Sequence, residues 1–194
     1  SALMLQDDFA LAADYFQRSI DIKPTQIAHS NLGLMHFYTG DYDAAVENQM
    51  AAVELQPNDC VARANLGDAL RAAGRTVEAQ QAFAQANVMA MRALGVNPND
   101  PFTTMDLAWI KMGVGEQTEA RRLLDRALQM IPDDPYVHYY NGLMFNQTGN
   151  SSQAFAAFRK AVELGYSRAM LAGDPNIENL RGDSRFRDIA DGLQ

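Results

Sequence analysis

Apolar residues recur three or four positions apart along most of the chain, and this spacing predicts amphipathic α-helices. The helical segments come in pairs. A glycine separates the two segments of a pair, where it can supply the left-handed conformation that ends a helix; these glycines are Gly40, Gly74, Gly115 and Gly149. An aspartate precedes the first segment at Asp59, Asp100 and Asp134, and a proline ends the second at Pro57, Pro98 and Pro132. The pattern predicts an all-α chain of helix-turn-helix units.

Small residues recur at fixed places within these units. The first segment carries one of them each time: Gly33, Gly67, Ala108 and Gly142. The second segment carries two alanines, at Ala45 and Ala52, Ala79 and Ala86, Ala120 and Ala127, and Ala154 and Ala161. Successive units lie 34, 41 and 34 residues apart. Small side chains let two helices approach closely, and because one such pair cannot bury its apolar face alone, we expect the units to stack on each other.

This pattern resembles the tetratricopeptide repeat over roughly residues 8–166. In the register of that family the small residues occupy positions 8, 20 and 27, and a bulky residue occupies position 24: Phe83, Leu124 and Phe158, with the polar Gln49 as an exception. The resemblance implies an all-α, right-handed superhelical α-solenoid with a C-terminal capping helix. It divides residues 1–166 into a half repeat and four full repeats, at 1–24, 26–58, 60–98, 101–133 and 135–166.

Two segments depart from a regular array. The third unit is seven residues longer than the others, and its extra residues within 87–97 continue the helical pattern, so we expect its second helix to extend by about two turns. Residues 167–194 lack the repeat and resemble the closing segment of many bacterial tetratricopeptide arrays. We predict that this segment is a cap, in which four apolar residues cover the last helix pair: Ile177, Leu180, Phe186 and Ile189.

The resemblance also implies a concave groove, lined by the first helix of each repeat. The groove positions of the family give an aromatic face here, and aromatic residues, Met and Arg are typical of partner-binding surfaces. The predicted partner-binding residues are Leu34, Phe37, Tyr38, Asp68, Arg71, Phe102, Met105, Trp109, Tyr136, Tyr139 and Leu143. The Lys and Asn residues with which some family members hold a peptide carboxylate are absent from these positions. The alternative is that the long third-unit helix, the C-terminal segment or a second copy of the chain, as a homodimer, covers this face.

Residues with catalytic or metal-binding potential are few and scattered. The single cysteine, Cys60, excludes a disulfide framework and a Cys-based zinc site. His29 and His36 lie seven residues apart, too far to share one metal ion without other ligands, and His138 lies far along the chain. We therefore predict no catalytic residue, no cofactor and no metal site, and we keep an enzyme that acts through Cys60 and His36 only as a third hypothesis.

Charge and hydropathy narrow the class of partner. A net charge of −8 and a pI near 4.8 argue against nucleic acid, which is bound through Lys and Arg. No run approaches the ~18 apolar residues of a membrane span and no signal-peptide pattern opens the chain, so we expect no membrane insertion and a cytoplasmic location, with the periplasm as the alternative. Residues 1–62 hold nine acidic and two basic residues. This acidic region is either a solvated surface or a docking surface for a basic partner segment.

Two functions follow from these observations. The first is a non-enzymatic protein–protein interaction scaffold, which binds a peptide or protein segment along the aromatic groove. The second is the C-terminal regulatory or oligomerisation module of a larger bacterial signalling protein, such as a kinase, a cyclase or a transcription regulator. The half repeat at the N-terminus favours the second function, because it suggests that further sequence precedes it.

Overall fold

The computed structural model describes residues 2–192, with the side chains of residues 9–192. The described residues form helices and no strand, which confirms the all-α prediction of helical hairpin repeats. The α-helices are α1 (Ala2–Ile22), α2 (Gln26–Thr39), α3 (Tyr42–Leu55), α4 (Cys60–Ala72), α5 (Thr76–Val96), α6 (Pro101–Val114), α7 (Gln117–Met130), α8 (Pro135–Gln147), α9 (Ser151–Glu163), α10 (Arg168–Gly173) and α11 (Ser184–Asp191), with a 3₁₀ helix at Pro175–Leu180. The chain divides into two compact units, Ser1–Ala93 and Leu94–Gln194.

Polar caps and left-handed glycines set the helix ends. The carboxylates of Asp59, Asp100 and Asp134 accept hydrogen bonds from backbone N–H groups in the first turns of α4, α6 and α8, as the sequence predicts. Pro101 and Pro135 are the first residues of α6 and α8, where an absent N–H costs nothing. The four glycines between paired helices have φ values of 76° to 86°. The caps and glycines fix where each helix begins and ends, and the glycines reverse the chain so that the second helix runs back along the first.

The two helices of a hairpin meet at a small residue. Three glycines face a large side chain of the second helix: Gly33 faces Gln49, Gly67 faces Phe83, and Gly142 faces Phe158. In the hairpin of α6 and α7 the corresponding residues are Ala108 and Leu124, both fully buried. The polar Gln49 takes the place of an apolar residue because its amide nitrogen donates a hydrogen bond to the carbonyl oxygen of Ser30 at 2.9 Å.

In the first unit, α1 packs on α2, α2 pairs with α3, and α4 packs on α3. The core of this unit contains Phe37, Val46 and Leu70. Helix α5 has 21 residues, seven more than α3 or α7, which confirms that the second helix of the third helix pair is extended. The extension adds about two helical turns before Pro98.

In the second unit, α6 pairs with α7 and α8 pairs with α9. The segment after α9 folds back on this last hairpin, since α11 contacts α9 and the 3₁₀ helix contacts α8. The four apolar residues predicted for a cap, Ile177, Leu180, Phe186 and Ile189, are all buried. The boundaries predicted for the repeats and for the cap stay a prediction.

Candidate partner-binding face

The eleven predicted partner-binding residues lie on four first helices, α2 and α4 in the first unit and α6 and α8 in the second. Their burial divides them into three groups. Phe37, Met105, Trp109, Tyr139 and Leu143 are buried, Leu34, Tyr38, Asp68 and Arg71 are half-buried, and Phe102 and Tyr136 are exposed. The role of all eleven as partner contacts stays a prediction, but their burial shows which of them already serve the fold.

An aromatic cluster joins α1, α2 and α3 in the first unit. Tyr38 stacks on Phe9 with ring centroids 5.8 Å apart, and Phe37 meets Tyr38 and Tyr42 edge to face at 5.3 and 6.2 Å. Aromatic pairs in these geometries contribute about 0.5–1.5 kcal/mol beyond the burial of their area. Phe37 is therefore a core residue of this hairpin, whereas Tyr38 and Leu34 keep part of their surface accessible.

Arg71 is the one basic residue among the eleven predicted contact residues, and a carboxylate of the first unit balances its charge. Its guanidinium donates a hydrogen bond to the carboxylate of Asp68, one turn earlier on α4, and lies 5.1 Å from the ring centroid of Phe83. A partner carboxylate would have to compete with Asp68 for this guanidinium. The arrangement therefore disfavours recognition of an acidic segment at this position.

Trp109 lies at the contact between the first helices α6 and α8. Its indole stacks on the ring of Tyr140, with centroids 5.5 Å apart and an interplanar angle of 10°. Met105, one turn earlier on α6, is also buried. A side chain that is already removed from water offers a partner little further apolar area. Truncation of Trp109 would therefore damage the fold before it tested a partner.

Tyr139 is held by the C-terminal segment. Its hydroxyl donates a hydrogen bond to the carboxylate of Asp174, which is fully buried, and its ring stacks on Tyr166 with centroids 4.4 Å apart. The Asp174 carboxylate also accepts hydrogen bonds from the backbone N–H of Asn176 at 2.8 Å and from its side-chain amide at 3.0 Å. Tyr139 and Asp174 therefore anchor the segment to α8.

A second contact with the C-terminal segment lies two turns further along α8. The side-chain nitrogen of Asn146 donates hydrogen bonds to the carbonyl oxygen of Asn176 at 3.2 Å and to the side-chain oxygen of Asn179 at 3.1 Å. The C-terminal segment thus contacts α8 at Tyr139 and at Asn146. Sequence reasoning missed Asp174 and Tyr166, and the available signal was the Asp-Pro pair at 174–175, which matches the helix starts at α6 and α8.

Phe102 and Tyr136 are the exposed members of the predicted face. They occupy the same place in successive repeats, the second residue of α6 and of α8, and these two helices contact each other. Phe102 is 55% exposed and Tyr136 is 44% exposed, although Tyr136 also meets Tyr166 edge to face at 5.4 Å. Both rings follow an aspartate cap and a proline, so their backbone is held rigidly.

The histidines of the described residues lie in separate surroundings. His29 Nδ1 lies 3.1 Å from the side-chain oxygen of Asn48, His36 Nδ1 lies 3.8 Å from the Asp41 carboxylate, and His138 Nε2 lies 2.7 Å from the backbone carbonyl of Pro132. Within residues 9–192, no group of three His, Cys, Asp or Glu side chains is arranged to hold a metal ion.

The carboxyl groups with a resolved pKa shift have lowered values. A hydrogen bond from the Thr103 hydroxyl lowers the pKa of Asp100, and hydrogen bonds from Arg185 lower the pKa of Asp183 to about 2. Such groups stay ionised at neutral pH, whereas a general acid needs a raised pKa. In the part of the chain that is described, no helix has the length and hydropathy to span a bilayer.

Models of the tetratricopeptide repeat match the chain over residues 28–59, 49–81 and 105–169. The crystal structure of a thermophilic TPR protein from Thermus thermophilus superposes with a TM-score of 0.59 at 20% identity, over 96% of this chain and 93% of that one. At this identity the likeness shows the fold alone.

Two longer proteins resemble the chain in sequence. The human protein O-mannosyl-transferase TMTC1 is 24% identical over 164 residues, which are 82% of this chain and 18% of that protein. The cytochrome c-type biogenesis protein CycH of Rhizobium meliloti (strain 1021) is 32% identical over 120 residues, which are 62% of this chain and 30% of that protein. The chain therefore spans less than a third of the length of either relative.

Proposed function

Because this chain belongs to the tetratricopeptide repeat family, we propose that it binds a segment of a partner protein on the first helices of its repeats. The repeats and the structural neighbours support a protein–protein interaction scaffold, and this fold is typically non-catalytic. Stacked helical hairpins suit such a role because they present one extended surface built from many repeats.

The observation that carries the proposal is the exposed aromatic pair of Phe102 and Tyr136. Two large apolar rings at equivalent places on adjoining helices are costly to leave in water, and aromatic side chains are frequent anchors of protein interfaces. Tyr136 rests on the buried Tyr166, which its ring meets edge to face at 5.4 Å. Rigid anchors lose little conformational entropy when a partner binds.

The size of the expected effect follows from the exposed area. A half-exposed aromatic side chain has about 100 Å² left to bury, and ~25 cal/mol per Å² converts this to about 2.5 kcal/mol for each ring. Each ring is only partly buried in the complex, which reduces its contribution to the binding free energy. We therefore expect about 1.5 kcal/mol from each ring, which changes Kd roughly tenfold. Phe102 and Tyr136 together are then expected to change the affinity by about a hundredfold.

We expect the partner segment to be basic as well as apolar. The chain has a net charge of −8, and Arg71, the one basic residue among the eleven, is engaged by Asp68. A negative net charge raises the association rate of a basic segment, and salt weakens this effect. Binding is therefore expected to fall as the ionic strength rises.

Quantitative affinity capture tests the proposal. The tagged chain, the double variant Phe102→Ala/Tyr136→Ala and the control Val77→Ala are used as baits, and the retained proteins are compared by mass spectrometry. Val77 is 68% exposed on α5, so its variant removes apolar surface outside the first helices. We expect a retained protein that is lost with the double variant and kept with the control. Equal retention by all three folded baits would contradict the proposal.

A second candidate function is a regulatory or oligomerisation module of a larger bacterial signalling protein. What supports a modular role is that the two sequence relatives are more than three times as long as the part that matches this chain. The test is to delete this array from the full-length gene product and to measure the activity of the remaining domain. A gene that encodes no further domain would contradict this candidate.

A further inference from the structure

The two exposed rings of the proposed binding surface repeat at a spacing that selects the conformation of a ligand. Phe102 and Tyr136 are each the second residue of a first helix, and the helices α6 and α8 contact each other. The axes of packed helices lie about 8–10 Å apart. Because the rings occupy equivalent places on these helices, a ligand that contacts both must present two side chains on one side, separated by about the same 8–10 Å.

Among the regular backbone conformations, polyproline II fits this spacing best. It has three residues per turn and rises about 3.1 Å per residue, so residues i and i+3 lie on one side about 9.3 Å apart. In a β-strand the residues on one side lie about 6.6 Å or about 13 Å apart, and neither distance fits. In an α-helix residues i and i+7 lie about 10.5 Å apart, but the helix is about 10–12 Å wide and needs a groove of that width. A helical ligand is therefore the competing case.

The hydroxyl of Tyr136 gives the surface a hydrogen-bond donor for such a ligand. Tyr136 is 44% exposed, and its ring is supported by the buried Tyr166. Within residues 9–192 the hydroxyl of Tyr136 forms no hydrogen bond. A polyproline II segment has no internal hydrogen bonds, so its backbone carbonyl oxygens can accept one. Tyr136 therefore offers a ligand a polar contact as well as a ring, whereas Phe102 offers a ring alone.

The charge on the two helices and their preceding turns is negative. Residues 97–114 and 131–147 contain α6, α8 and these turns, and they hold four aspartates and one lysine. The lysine, Lys111, is buried and forms an ion pair with Glu116 at 2.6 Å, so its charge is balanced. Asp133 is exposed three residues before Tyr136, and in the described range 9–192 it has no ion-pair partner. A ligand with basic residues is therefore favoured over an acidic one.

We propose that the surface formed by Phe102 and Tyr136 binds a proline-rich segment of a partner protein in the polyproline II conformation, with a basic residue beside the prolines. This inference rests on the proposed function and names the class of partner segment for the same surface. Prolines three residues apart pack on the two rings, the Tyr136 hydroxyl donates to a backbone carbonyl, and the basic residue lies near Asp133. A segment that is already extended before it binds loses little conformational entropy.

Four labelled peptides of equal length separate the effect of conformation from that of charge. The first consists of nine prolines followed by two arginines. The second replaces the prolines with alternating glycine and serine, which keeps the charge and removes the polyproline II conformation. The third replaces the arginines with glutamates, which keeps the conformation and reverses the charge. The fourth is a covalently stapled α-helix with leucines seven residues apart and the charge of the first. Binding of each peptide to the intact chain is measured by fluorescence anisotropy.

We expect the proline–arginine peptide to bind at least about tenfold more tightly than the glycine–serine peptide, and several-fold more tightly than the glutamate peptide at low salt. Phe102→Ala should weaken its binding about tenfold. Tyr136→Phe keeps the ring and removes the hydroxyl, and it should weaken binding several-fold. Asp133→Asn should reduce both the affinity at low salt and its dependence on salt. Val77→Ala on α5 removes exposed apolar surface from a second helix and should leave binding unchanged.

Equal binding of the glycine–serine peptide, or tighter binding of the helical peptide, would overturn the inference. Binding of the proline–arginine peptide that neither Phe102→Ala nor Tyr136→Phe changes would overturn it too, because the peptide would then lie elsewhere.

Affinity capture with the double variant Phe102→Ala/Tyr136→Ala separates this inference from the proposed function. A retained protein that the double variant loses, together with no binding of the proline–arginine peptide, would support the scaffold and contradict the polyproline II ligand. If the substitutions changed neither the retained proteins nor the binding of the peptide, the proposed function would be wrong as well.

Discussion

Replacing Gly142 with alanine places a methyl group against the ring of Phe158, in the contact between α8 and α9. An ideal Cβ on Gly142 would lie 2.5 Å from Phe158 Cδ1, 2.9 Å from Cζ and closer still to Cε1, whereas ordinary contacts begin near 3.4 Å. The ring or the helix must therefore move by about 1 Å. Phe158 is fully buried, and it is flanked on α9 by Ala154 and Ala161, which are fully buried too, so the ring has little room to withdraw.

The expected loss of stability is the difference between two effects. Alanine is better than glycine in a helix by about 1 kcal/mol. Overpacking in a close-packed core typically costs about 1–3 kcal/mol, and an approach this short belongs at the upper end of that range. We therefore expect Gly142→Ala to lower the free energy of unfolding by about 2 kcal/mol, which corresponds to a fall in Tm of about 4–8 °C in a chain of this size.

The chain contains its own compensating pair, Ala108 opposite Leu124 in the hairpin of α6 and α7. Phe158→Leu alone should cost about 1–2 kcal/mol through the smaller side chain, but in combination with Gly142→Ala it should reproduce that natural pair. Urea unfolding of the two single variants and the double variant gives the coupling free energy, which we expect to be favourable by about 2 kcal/mol. Gly95→Ala in α5, which has open space around its Cβ, is the control for helix propensity.

Two results would refute this reasoning. If Gly142→Ala were as stable as the parent chain, the close approach would not control the packing of α8 on α9. If Phe158→Leu failed to rescue it, the cost would come from some contact other than the one between these two side chains. Gly95→Ala, by contrast, should be neutral or slightly stabilising.

Two further predictions concern the C-terminal segment. Tyr139→Phe removes the hydroxyl that donates to the buried carboxylate of Asp174, and we expect it to lower the free energy of unfolding by about 1.5–3 kcal/mol in urea titrations; an unchanged midpoint would show that this bond does not anchor the segment. Hydrogen bonds from Arg185 lower the pKa of Asp183 from 3.8 to about 2, so its contribution to stability is complete above pH 4 and is lost as the pH falls toward 2. Arg185→Gln should raise the Asp183 pKa toward 3.8 in an NMR titration, and a pKa that stays near 2 would contradict the assigned cause.

Helix pairs, their turns and their period could be predicted from the sequence because each depends on short-range chemistry. An aspartate or proline at a helix start and a glycine with positive φ at a helix end act on their own turn of the chain, and the 21 residues of α5 follow from an uninterrupted apolar period. The recurrence of Gly33, Gly67 and Gly142 even indicated where paired helices approach most closely. Local rules were sufficient because most helix contacts join helices that follow each other in sequence.

Which residues of the predicted groove are buried and which are exposed, by contrast, depends on contacts between residues far apart in sequence. The register placed Trp109 and Tyr139 on the same face as Phe102 and Tyr136, but only the tertiary structure showed that the first two are buried by Tyr140, Tyr166 and Asp174. A periodic pattern tells which side of a helix a residue occupies, not what covers it. The covering segment lies about 35 residues beyond Tyr139 and has no repeat of its own, so its position is set by the burial of its apolar side chains and by one buried carboxylate.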